Sequence, residues 1–166
     1  MKNNIVLIGM PGVGKSTAGV VLAKIIGYKF IDMDIVIQEQ EGRLLKDIIE
    51  TEGVDGFIAV ENKVNAAVEA DKSVIATGGS VVYGEEAMKH LKDIGTVVYL
   101  EVGYETIEER VSNVKGRGVV LRDGQSLRDI YEERAVLYEK YADVIVDETG
   151  KTIEETIEAV RQGLGL

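Results

Sequence analysis

Short apolar, β-branched runs alternate along the chain with longer stretches whose apolar positions recur every three to four residues. Runs at 5–8, 28–31, 73–76, 96–100 and 143–146 predict five strands. Stretches at 15–26, 36–40, 45–50, 56–69, 85–92, 104–111, 126–141 and 153–163 carry helical periodicity. The strand runs are apolar throughout rather than alternating, as expected of parallel strands covered on both faces. The pattern therefore predicts a three-layer α/β fold: a five-stranded parallel sheet flanked by helices, with its ligand crevice at the carboxyl ends of the strands.

Composition narrows the picture. With 166 residues, 45% of them hydrophobic, the chain is the size of one domain with its own core, so residues 1–166 are read as a single unit. Pro11 is the only proline, and no linker, repeat or low-complexity block interrupts the chain. Nineteen Lys and Arg against 29 Asp and Glu give a net charge of −10, which argues against nucleic acid or an anionic membrane as partner and for a small molecule. There is no cysteine, hence neither a disulfide framework nor a thiolate metal site. Without a basic-then-apolar leader or a run of 18 apolar residues, the expectation is a cytoplasmic protein, taken here as a monomer.

The candidate chemistry begins at Gly9-Met10-Pro11-Gly12-Val13-Gly14-Lys15-Ser16, which reads G-x-x-x-x-G-K-S between the first strand and the first helix. In that context it is a P-loop. Its glycines let backbone N–H groups of Gly12, Val13 and Gly14 turn toward a phosphate, with Thr17 at the helix entrance. Lys15 reaches the β- and γ-phosphates, and the Ser16 hydroxyl is placed to hold Mg²⁺. ATP and Mg²⁺ are therefore the expected cofactors. With no His/Cys cluster, Mg²⁺ carried with the nucleotide is the only metal the sequence suggests.

Three further segments fall at the same sheet edge. Asp32-Met33-Asp34 follows the second strand. Asp32 could orient a Mg²⁺-bound water beside Ser16 while Asp34 hydrogen-bonds an attacking hydroxyl; alternatively the pair caps the next helix, with Asp34 as N-cap. Thr77-Gly78-Gly79-Ser80 ends the third strand and either exposes backbone amides to a ligand or is a plain turn. Between Ser112 and Ser126, Lys115, Arg117 and Arg122 alternate with Gly116, Gly118 and Gly124, which reads as a mobile lid at about 112–125 or as a solvated loop. The single histidine, His90, is expected at the surface of a polar helix, and the runs around Glu105, Glu108, Glu109, Glu154, Glu155 and Glu158 as solvated helix faces.

Together, the P-loop, the Asp-x-Asp, the Gly-Gly turn, Arg117 and Arg134-x-x-x-Tyr138 resemble the shikimate kinase family over nearly the whole chain. The resemblance implies a nucleoside-monophosphate-kinase-like fold with sheet order 2-3-1-4-5, a place in aromatic amino acid biosynthesis, and transfer of the ATP γ-phosphate to a ring hydroxyl of shikimate, giving shikimate 3-phosphate. It implies that Lys15 and Ser16 contact phosphate and Mg²⁺, that Asp32 lies near the metal and that Asp34 activates the substrate hydroxyl. By the same resemblance Gly78 and Gly79, with Ser80 in place of a frequent third glycine, bind substrate within an acceptor segment at about 33–61. Arg117 contacts the transferred phosphate, Arg134 grips the substrate carboxylate, and Arg110 packs on adenine.

The departures bear on the acceptor. The family pattern Phe-Arg-x-x-Glu corresponds here to Phe57-Ile58-Ala59-Val60-Glu61, so Ile58 stands where a second carboxylate-clamping arginine is usual. Gly118 replaces a proline after the lid arginine, with Val119-Val120 following, and Val136 replaces another. Arg134, or a lysine such as Lys63 from the same helix as Ile58, would then hold the carboxylate alone; otherwise the acceptor is a different hydroxylated metabolite. A third reading, a non-catalytic nucleotide-binding module, leaves Asp34 and Arg117 without a purpose.

Overall fold

The structure, a computed structural model, describes residues 2–113 and 122–166. Its elements run β1 (Asn4–Ile8), α1 (Lys15–Ile26), β2 (Lys29–Asp32), α2 (Met33–Glu41), α3 (Leu45–Ala66), β3 (Ser73–Ala76), α4 (Glu85–Ile94), β4 (Gly95–Glu101), α5 (Tyr104–Asn113), α6 (Leu127–Tyr141), β5 (Val144–Asp147) and α7 (Ile153–Leu164). All five strands are parallel, in the order β2-β3-β1-β4-β5. The expected architecture and strand order are both present.

β1 lies at the centre because it is apolar on both faces: all five of its residues are buried, and Ile5 pairs with Val74 of β3 on one side and Thr96 of β4 on the other. Its one polar residue, Asn4, is satisfied at the amino edge of the sheet. The Asn4 amide donates to the carbonyls of Ala70 and Ile94, and its Oδ1 accepts from the Ser73 amide. Three bonds to one buried side chain fasten β1 to both neighbours and leave the carboxyl edge to the ligand. The connection out of β1 leads to β2 on one flank, while β4 and β5 lie on the other. The loop after β1 therefore sits where the winding reverses, the place where α/β sheets open a crevice.

The helices keep to the stretches that the pattern predicts, with shifts at their ends. The stretches at 45–50 and 56–69 lie in the two helical segments of α3, parted at Gly53, whose φ of 75° and ψ of −178° leave the helical region. Only glycine takes that conformation without strain, so Gly53 is where the first segment turns into the second. α2 starts at Met33, three residues before the apolar periodicity, because Asp32 is its N-cap: the Asp32 Oδ1 accepts from the Asp34 amide at 3.0 Å. His90 is half-buried rather than exposed, its Nε2 2.6 Å from the Val68 carbonyl, which ties α4 to the segment after α3. The glutamates expected on solvated faces of α5 and α7 are exposed.

Candidate active site

A cavity of about 740 Å³ opens along the carboxyl edge of β1, β2 and β3. Its first wall is the P-loop. Gly12 and Gly14 have φ of 86° and 90°, and α1 begins at Gly14 with no side chain capping its first turn. The uncapped amides and the positive end of the α1 dipole face an anion site that only a left-handed backbone can shape. Lys15 is buried, and its Nζ donates to the carbonyls of Gly9 at 2.6 Å and Met10 at 2.9 Å, which holds the cation within the loop. Pro11, Gly12, Gly14, Lys15, Ser16 and Thr17 line the cavity. Gly9 and Val13 do not. At Gly9 a Cβ would stand 2.6 Å from the Leu100 carbonyl oxygen, so this glycine permits the loop to cross β4; Val13 is buried beneath the loop.

Arg110 of α5 braces the loop from behind. Its Nη1 donates to the Gly12 carbonyl at 3.2 Å and to Glu148 Oε1 at 2.9 Å. Burial pushes the Glu148 carboxyl above its ordinary range, and the Arg110 guanidinium opposes this. Arg117 lies outside the described residues, as do Lys115, Gly116 and Gly118 of the expected lid.

The second wall divides the work of Asp32 and Asp34. One Asp32 oxygen caps α2, and the other accepts from the Ser16 hydroxyl at 3.0 Å. This leaves the Asp34 side chain, expected in one reading to cap the helix itself, on the cavity wall. Burial, and then the Asp32 carboxylate, raises the Asp34 pKa, while Lys15 lowers it. Among the described residues no group of three or more His, Asp or Glu is arranged around a metal. Ser16 and Asp32 offer two oxygen donors, the hard-ligand type that suits Mg²⁺ when phosphate and water complete the shell.

The third wall is the turn after β3. The Thr77 hydroxyl donates to the Leu7 carbonyl at 2.8 Å and pins the start of the turn to β1. A Cβ on Gly78 would lie 2.6 Å from Glu61 Oε2 and 2.9 Å from Asp34 Oδ1, and one on Gly79 would lie 2.6 Å from Pro11 Cδ and 3.1 Å from Arg134 Nη1. The two glycines are thus required by close approach, and they carry the functional groups of three other elements to one spot. Arg134 and Tyr138 stand one turn apart on α6: the Arg134 guanidinium lies 5.4 Å from the Tyr83 ring centre, and the Tyr138 hydroxyl donates to the Gly79 carbonyl. Ser80 donates from Oγ to Glu61 Oε1 at 2.5 Å.

α3 closes the cavity with Leu45, Lys46, Ile49, Glu50, Val54, Phe57 and Glu61. Ile58 is half-buried and outside this lining, because one residue past Phe57 turns the side chain about 100° round the helix. Lys63 is exposed and also outside it, so Lys46 is the α3 cation at the cavity. Sequence reading missed Lys46, Leu45 and Ile49. Their spacing of three to four residues was visible, but core packing and cavity lining give the same period.

The family model for shikimate kinase matches residues 11–164. The chain belongs to the shikimate kinase family. A shikimate kinase of Clostridium botulinum (strain Eklund 17B / Type B) is 36% identical over 165 residues, covering 98% of this chain and 97% of that protein. That of Sulfurihydrogenibium sp. (strain YO3AOP1) is 34% identical over 158 residues, 95% of each. Among solved structures, shikimate kinase from Acinetobacter baumannii in complex with shikimate superposes with a TM-score of 0.85 at 30% identity, over 98% of this chain and 92% of that one. The family fold is kept around the acceptor-side departures at Ile58 and Ser80.

Proposed function

We propose that this protein is a shikimate kinase, transferring the γ-phosphoryl group of ATP to a ring hydroxyl of shikimate to give shikimate 3-phosphate. The observation that carries the reading is that one cavity joins the P-loop with Asp34, Gly78, Gly79 and Arg134. A nucleotide-binding module without turnover has no need of an acceptor wall facing its phosphate site.

In this reading the α1 amides and Lys15 bind and neutralise the β- and γ-phosphates, the main task in a reaction governed by positioning and charge. Asp34 hydrogen-bonds the acceptor hydroxyl, orients it in line and takes its proton as the bond to phosphorus forms. Arg134, held against Tyr83 over Gly79, pairs with the substrate carboxylate. Ser16 and Asp32 would hold Mg²⁺, which supplies charge neutralisation on the phosphates when bound. Residues 33–61 serve as the acceptor segment, and Arg110 supports the nucleotide site through the P-loop carbonyls. Ile58 shapes α3 beside the pocket rather than contacting the carboxylate. The reading takes the protein as a cytoplasmic monomer; no described helix is long and apolar enough to cross a membrane.

ADP release measured with ATP, Mg²⁺ and a panel of hydroxylated acids tests this. Shikimate-dependent release is expected. Release with another alcohol and none with shikimate would sink the shikimate assignment, and release with no acceptor would leave only nucleotide hydrolysis.

A further inference from the structure

Glu61 is the most deeply buried carboxyl group in the acceptor half of the cavity, 1% exposed. Its Oε1 accepts from Ser80 Oγ at 2.5 Å, while Oε2 has no hydrogen-bond partner among the described residues. Oε2 lies beside the bare Cα of Gly78, 2.6 Å from where a Cβ would stand, and Asp34 Oδ1 is 2.9 Å from the same point. Arg134 Nη1 reaches the neighbouring Gly79 in the same way. An acceptor resting on these glycines therefore meets a cation on one side and two carboxyl groups on the other.

The charged groups around Glu61 come from three elements: Asp34 from α2, Lys15 from α1 and Arg134 from α6. Its own helix adds none, since the residues three and four positions away are Ile58, Phe57, Val64 and Asn65. An orphaned oxygen on a buried anion, next to a second anion, is a costly arrangement. A protonated carboxyl in the same place is a hydrogen-bond donor without a partner among the described residues, on a side chain that belongs to the cavity lining.

We propose that Glu61 works as a neutral carboxylic acid whose Oε2–H donates to the bound acceptor, so that an anionic acceptor binds beside Arg134 only while that proton is in place. Glu61 then becomes a specificity-determining residue that presents a donor without adding negative charge. Ser80 sets the orientation by occupying Oε1. Burial, opposed by Ser80 and reinforced by Asp34, pushes the Glu61 pKa up to about 7, which puts the required proton within reach of neutral pH. The inference rests on the reading of the cavity as a shikimate site.

Calorimetric titration of the full chain with shikimate alone, at pH 6 and pH 8.5 and in two buffers of different ionisation enthalpy, tests it. Omitting nucleotide removes the titration of its phosphates. The wild-type Kd is expected to rise about 10- to 30-fold over this range, the fraction of Glu61 left protonated having fallen by that factor, with net proton uptake on binding at pH 8.5. Glu61→Gln keeps an acceptor for Ser80 and a neutral donor for the substrate. Its Kd is expected within about threefold of the wild-type value at pH 6 and unchanged at pH 8.5, without proton uptake. Ser80→Ala removes the bond that favours the ionised form and should move the midpoint of the pH dependence upward. A wild-type Kd that is flat with pH, or a Glu61→Gln variant that keeps the wild-type pH dependence, overturns the role of Glu61 while leaving the shikimate assignment intact. Failure of the wild-type protein to bind shikimate even at pH 6 overturns both.

Discussion

The Ser16 hydroxyl donates to Asp32 Oδ2 at 3.0 Å, joining the residue after the P-loop lysine to the end of β2. Because the other Asp32 oxygen caps α2, one side chain carries a structural bond and a candidate metal-site bond at once. The two can be separated. Asp32→Asn keeps an oxygen for the cap and loses the charge, so its stability should stay near wild type while the Mg²⁺ concentration for half-maximal turnover rises. Asp32→Ala should show the same Mg²⁺ effect and lose a further ~1 kcal/mol of stability. Equal Mg²⁺ requirements in all three proteins would confine Asp32 to capping.

Lys15→Ala removes the cation held at the loop by the Gly9 and Met10 carbonyls. ATP binding should weaken by about 10- to 150-fold, the range for a lost charge-assisted contact of ~1.5–3 kcal/mol, and turnover should fall further still. Equilibrium dialysis with ATP and the ADP-release rate measure the two effects. Unchanged turnover would remove the P-loop assignment.

Asp34→Asn should lower kcat by ~10²–10⁴ with ATP affinity nearly intact, because the side chain lines the cavity and the α2 cap belongs to Asp32. Loss of ATP binding with normal acceptor kinetics would assign Asp34 to the nucleotide instead.

Stability should depend on Glu61 in a defined direction. Its pKa is about 7 in the folded chain against 4.5 when unperturbed, so the folded state binds more protons between those values. Stability from this group is therefore full below about pH 4.5 and is lost as pH rises to about 7. A shift of this size corresponds to roughly 2–4 kcal/mol, and Glu61→Gln is free of it. The melting-temperature difference between Glu61→Gln and wild type should grow in the variant's favour by about 5–10 °C from pH 4.5 to pH 8. A constant difference across that range would mean that Glu61 stays ionised in the folded protein.

The elements were legible because local signals are enough for them. The P-loop, the apolar strands and the helical periods at 15–26 and 85–92 lie in adjacent residues, and α1 occupies Lys15–Ile26 as its pattern predicts. The break between the stretches at 45–50 and 56–69 was legible for the same reason, and the non-helical backbone at Gly53 falls within it. The strand order came through the family resemblance and not through periodicity, which says nothing about which strands are neighbours.

By itself the sequence determined that the chain forms a parallel α/β sheet with a phosphate-binding loop, because those features follow from side-chain period and backbone freedom within a few residues. Only the tertiary structure decided how the carboxyl groups share their work. Asp32 and Asp34 are two residues apart, yet they divide into cap and cavity wall through bonds to Ser16 and to the α2 backbone. Glu61 and Ser80 are 19 residues apart and meet because α3 packs against the turn Val81–Tyr83 that Ser80 opens. Burial and hydrogen-bond partners set the charge of such groups, and both are properties of what surrounds a residue after folding.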